Sequence, residues 1–133
     1  MKTIVCRVEE GPGQRHLVAT VAVVGEDLVV AVGGGERPHV GCAVLATPYA
    51  AKTGAGPWSA SCSVLTIPPH KEEPIARGIA TRLAAALGRV VVVTAGVHDD
   101  DIDPAGIRVY LNLGGEMAEA LLARLTPLEC PQR

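Results

Sequence analysis

Five strand-like runs precede the first helical pattern, and this order constrains the fold more than any other feature of the chain. Thr3 to Glu9 alternates well enough for a first strand, and Gly11-Pro12-Gly13 then turns the chain. Arg15 to Val24 predicts a second strand with Leu17, Ala19, Val21 and Val23 on one face. Gly25-Glu26-Asp27 is a short connection into a third strand, Leu28 to Val32. Connections this tight favour antiparallel neighbours. Gly33-Gly34-Gly35 is expected to break the third strand. Val40 to Ala46 predicts a fourth strand, and the Gly- and Pro-rich stretch from Thr47 to Trp58 a long loop. Ser59 to Ile67 predicts the fifth strand, ended by Pro68-Pro69.

The remainder has a different period. Ile75, Ile79, Leu83 and Leu87 recur every four residues within Glu72 to Leu87, an apolar helical stripe that Gly88 terminates. Pro74 is tolerated only in the first turn of that helix. Val90 to Thr94 is wholly apolar, as a strand at a sheet centre would be. Asp103 caps a second helix with Pro104 at its first position, and Gly114-Gly115 is expected to weaken or kink it. Hairpins followed by helices predict an α+β fold: a mainly antiparallel sheet of about six strands with two helices on one face. The expected domain is residues 1–127, with residues 128–133 as a flexible tail.

The chain contains no Phe, one Trp (Trp58) and two Tyr (Tyr49, Tyr110). Its core must therefore come from Val, Leu, Ile and Ala, and Val suits a pleated surface. The same poverty removes base stacking, and a net charge of −2 removes a basic field, so a nucleic-acid partner is not expected. No run approaches the roughly 20 apolar residues that span a bilayer, so no membrane partner is expected either. Met1 to Val5 lacks signal-peptide character, which makes cytoplasmic the expected location. Cys6, Cys42 and Cys62 lie in strand-like runs without C-x-x-C spacing and are expected to be small buried residues, and Cys130 to be exposed in the tail.

Three of the four histidines sit on turns beside charged residues: His39 after Gly33-Gly34-Gly35-Glu36-Arg37-Pro38, His70 before Lys71-Glu72-Glu73, and His98 before Asp99-Asp100-Asp101. Successive N–H groups of a glycine turn can form an anion nest, and Arg37 adds a charge-assisted donor. Glu72 and Glu73 are accounted for by the positive end of a helix. The acids after His98 can be a cap region or oxygen ligands for a cation. Two site readings stay open. His39, His70 and His98 with Asp99 match a divalent-metal site in ligand type. Alternatively the turns rim an anion pocket. His16 reads as an ordinary sheet residue. Neither a Gly-x-Ser-x-Gly elbow nor a Cys beside a base supports nucleophilic hydrolysis.

Three segments in order carry a resemblance: Gly34, Gly35, Pro38, His39, Val40 and Gly41; His70, Lys71, Glu72, Ile75 and Ala76; and Val91 through His98. Together they resemble the prenylated-flavin chaperone family, the small D subunit of gallate-type decarboxylase systems. The resemblance runs over most of residues 28–125. It implies a non-catalytic accessory protein that holds prenylated FMN or FMN and assists maturation of a UbiD-like decarboxylase. It also implies a fold similar to proteasome-assembly chaperones, and a homodimer. The Gly/Pro insertion from Lys52 to Trp58 departs from the family pattern. The expected flavin-binding residues are then Gly34, Gly35, Arg37, His39, Gly41, His70, Lys71 and His98, with Trp58 or Tyr49 available to stack on the ring. The competing enzyme reading is a small metal-dependent hydrolase or lyase built on the three loop histidines. A third reading is a structural partner that pairs through its helical face or an open sheet edge.

Overall fold

The computed structural model describes residues 1–10, 15–52, 56–69 and 72–126. Their elements are β1 (Lys2–Glu10), β2 (Arg15–Val24), β3 (Asp27–Gly35), β4 (Cys42–Ala50), β5 (Trp58–Thr66), α1 (Glu73–Leu87), β6 (Val91–His98) and α2 (Pro104–Leu125). The six strands form one sheet in the order β1-β2-β3-β6-β4-β5. The fold is α+β, and the sheet is mixed. Four pairings are antiparallel, but β3 and β6 run parallel from Leu28↔Val91 to Gly35↔His98. The expectation of short antiparallel connections misses this pair because the β5-α1-β6 crossover inserts β6 between β3 and β4.

Alternation decides which face each strand buries. Ile4 and Cys6, Leu17, Ala19 and Val21, Leu28, Val30 and Val32, Val91, Val93 and Ala95, and Cys42, Val44 and Ala46 all point to the helices. There they meet Ile79 and Leu83 of α1 and Met117, Leu121 and Leu125 of α2. Helix α1 packs on β4, β5 and β6, α2 packs on β1 and β2, and the helices pack on each other. An Arg82–Glu119 ion pair at 2.9 Å bridges them. A large buried aliphatic of this kind contributes about 1.5–3 kcal/mol, which is how a core with one buried aromatic, Tyr110, holds together.

Several expected boundaries shift. β3 continues through Gly33-Gly34-Gly35 because β6 supplies a parallel partner along the whole run. β6 extends to His98 for the same reason. β4 reaches Ala50, which shortens the expected loop. α2 is continuous through Gly114-Gly115. Cys6 and Cys42 are buried and Cys62 half-buried; burial pushes the Cys42 and Cys62 thiols up, away from the reactive thiolate. Cys130 and the expected tail lie outside the described residues. No helix among the described residues is long and apolar enough to cross a membrane.

Candidate functional site

The connection from β3 to β4 must pass the end of β6, because β6 lies between them. Arg37 N donates to His98 O at 3.1 Å, His39 N to Gly96 O at 3.4 Å, and Gly41 N to Ala95 O at 2.9 Å. The crossing is so close that a Cβ on Gly96 would strike the His39 carbonyl. Gly35 has φ +75°, and a Cβ there would meet the His98 carbonyl and Asp99. A Cβ on Gly34 would strike the His16 carbonyl and Leu17. The space above the glycine run is therefore taken by the chain itself, where an approaching ligand was expected.

This crossing brings two of the three histidine turns together. His39 sets Nδ1 3.1 Å from the Arg37 carbonyl and Nε2 2.8 Å from Glu72 Oε1. Glu72 is buried just ahead of α1, and the same oxygen accepts from Val97 N at 3.3 Å. On the other side of Arg37, His98 Nε2 lies 3.4 Å from the guanidinium and 3.0 Å from Asp100 Oδ1. Arg37 closes the triangle by pairing with Asp100. The hydrogen bond from His98 first, and the Arg37 charge after it, hold the Asp100 carboxyl below its ordinary value. His70 and Lys71 lie outside the described residues.

Asp99 belongs to a second network. Its Oδ1 accepts from Glu36 N at 2.8 Å and its Oδ2 from the Tyr110 hydroxyl at 2.5 Å, with Arg15 Nε 3.9 Å away. Burial, then the Asp99 hydrogen bond, push the Tyr110 hydroxyl well above the usual tyrosine range. Asp103 caps α2 by accepting from Gly106 N at 2.8 Å. Both helices begin at this end of the sheet, so two positive dipole ends face the same region as Arg15 and Arg37.

These partners give the metal reading no support. Both His39 nitrogens face acceptors, the Arg37 guanidinium stands beside His98 Nε2, and Asp99 is turned to Tyr110 and Arg15. Among the described residues no group of three His, Cys, Asp or Glu could hold a metal ion, so His39, His98 and Asp99 are not a ligand set. Trp58 and Tyr49 do not reach these turns. They lie past Ala46, which is level with Val91, and Trp58 packs on Gly88. Counted along the strands, His98 is roughly 30 Å away.

Between the helices runs a largely apolar groove of about 300 Å³, whose lining also includes the paired Arg82 and Glu119. Pro74, Ile75 and Gly78 line one wall, and Leu111, Gly114 and Gly115 the other. Pro74 and Ile75 follow Glu72 closely in the chain, and Leu111 follows Tyr110. Sequence reasoning missed Glu72, Arg15 and Tyr110. Glu72 is accounted for as a first-turn acid, Tyr110 stands out only as a scarce aromatic, and Arg15 only as a strand start. Only the pairing of strands distant in sequence reveals them.

The fold is similar to that of a chain in the crystal structure of a novel chaperone complex for yeast 20S proteasome assembly. The TM-score is 0.62 with 18% sequence identity, over 93% of this chain and 97% of that one. At that identity the likeness is one of fold alone. No curated protein sequence matches the chain. A sequence family of chaperones matches residues 11–126, nearly the whole length. The chain belongs to the family of the prenylated flavin chaperone LpdD-like domain.

Proposed function

We propose that this chain binds prenylated FMN, works as a homodimer in the cytoplasm, and delivers the cofactor to a UbiD-like decarboxylase. The observation that carries the ligand reading is Arg37. Its side chain is 64% exposed, yet it is held in place at the strand ends by His98 and Asp100. An exposed ion pair of this kind is worth little, so an incoming phosphate can exchange for Asp100 at small cost.

The donor set fits the group. Arg37, Arg15 and two helix N-termini favour a phosphate. The carboxylates that crowd them, Glu72, Asp99 and Asp100, are each engaged by the chain's own donors. His39 and Gly41 fix the Arg37 segment through their contacts with Glu72, Gly96 and Ala95, Gly35 begins the turn at φ +75°, and Gly33 and Gly96 permit the close crossing, while Gly34 packs against His16 and Leu17 of β2. In this reading they position Arg37 more than they touch the ligand. His70 and Lys71 adjoin Glu72 in sequence and stay in the proposed set. The helix groove is an apolar surface for the ring and prenyl extension. When bound, the prenylated flavin supplies chemistry only to the decarboxylase that receives it.

Titration of FMN and prenylated FMN, followed by flavin fluorescence, tests the reading. Wild type should bind prenylated FMN, and Arg37→Ala should weaken binding about tenfold or more, the loss of a charge-assisted contact. Asp100→Ala, which frees Arg37, should tighten it about two- to fivefold. Absence of binding to either flavin would sink the proposal.

A further inference from the structure

The face of the sheet turned away from the helices is crossed at one end, where Pro38 and His39 lie over Gly33 and Gly96, and no other described element covers it. Register fixes what it displays. One row across all six strands reads Val5, Thr20, Ala31, Thr94, Ala43 and Leu65. The next reads Thr3, Ala22, Val29, Val92, Leu45 and Ser63. Twelve consecutive outward positions therefore carry no charge. Val5, Val29, Leu45 and Leu65 are 56%, 44%, 42% and 75% exposed. The described charges on this side stand at the rim: Arg7 and Glu9, paired with each other on edge strand β1, Asp27 at a strand end, and Arg37 with His98 and Asp100 at the crossing.

An antiparallel face left to water ordinarily alternates to polar residues. This one does not, and an apolar patch of such extent marks an interaction surface. Three observations select the occupant. A two-fold pair sets a patch against its own copy, so any charge near the axis meets a like charge, and both central rows are free of charge. Their side chains are short and similar in size, which lets two sheets approach to the usual spacing of about 10 Å. Six strands at roughly 4.8 Å and about six residues per strand clear of the crossing, at roughly 3.3 Å each, give on the order of 600 Å² per copy, within the range of a standard interface.

We infer that a second copy of this chain packs on this face, sheet against sheet, with the helices outermost. The inference rests on the homodimer reading and names its interface. The helix groove lies on the opposite side of the sheet, and the crossing that carries Arg37 borders the interface at one end.

Light scattering on the full chain, with Val29→Lys/Leu45→Lys as the disrupting variant and Leu111→Lys on the helix side as control, tests the assignment. Wild type and control should run at twice the monomer mass and the disrupting variant as a monomer that still binds flavin. A monomeric wild type would overturn both the homodimer and the face. A disrupting variant that stays dimeric overturns the face and leaves the homodimer standing. Should that variant fail to fold, wild type decides: a soluble paramagnetic agent should spare the methyl signals of Val29, Val92 and Leu45. Broadening of those signals in the dimer moves the interface elsewhere, the uncharged edge of β5 included.

Discussion

Tyr110 is the one aromatic in the core, and its hydroxyl is spent on Asp99. That bond fixes Asp99, which in turn receives the amide of Glu36, the residue before Arg37. A core side chain thereby braces the turn that presents the exposed cation. The sign of the pH effect follows. The folded chain keeps the Tyr110 proton well above the ordinary value near 10, while the unfolded chain releases it there. Stability from this source is present below about pH 10 and is lost as pH rises further, because the native state then holds the extra proton. In a Tyr49→Phe background, tyrosinate absorbance should appear together with unfolding and not before it. A smooth titration of Tyr110 near pH 10 in the folded chain would contradict the buried hydrogen bond. Which residue braces which was not legible in the sequence. Asp99 and Tyr110 were visible as a turn acid and a helix-face aromatic, and nothing in spacing couples them to Glu36, 63 residues before Asp99.

At the level of elements, glycine is used in two opposite ways. Gly96 in β6 lies directly under the His39 carbonyl, so even a methyl group displaces the crossing that carries Arg37. Gly78, in the interior of α1, has open space where a Cβ would stand. Mid-helix glycine costs about 1 kcal/mol relative to alanine. Thermal denaturation should therefore separate them: Gly78→Ala gains about 1 kcal/mol, and Gly96→Ala loses about 3 kcal/mol, the upper range for overpacking. Equal effects would mean that the crossing has slack. The sequence reading placed the elements in the right order because local periodicity carries that information. Arg15–Val24 came out at its true bounds and the capped second helix at its true start, Pro104. It stopped β3 at Gly33 because a glycine run ends a strand on local grounds. The parallel partner that keeps Gly33-Gly34-Gly35 in the sheet comes from β6, some 60 residues later.

For the whole molecule, the consequential fact is that both helices cover one side of the sheet. The alternation within each strand already showed an inward Leu17-Ala19-Val21 face, and hairpins followed by helices implied that both helices share it. The outward face was harder to read, since Val29 and Leu45 look like core residues until the register places them with Val92. A pair formed through that face has a thermodynamic signature besides its mass. If the folded chains associate and the unfolded chains do not, dilution shifts the equilibrium toward unfolding. The melting temperature of wild type should fall with each tenfold dilution through the dissociation range. For the Val29→Lys/Leu45→Lys variant it should be independent of concentration. Leu111→Lys should follow wild type, because its helix surface lies on the far side of the core. A wild-type melting temperature that is constant from micromolar to millimolar chain would place the partner of the open face in a different molecule.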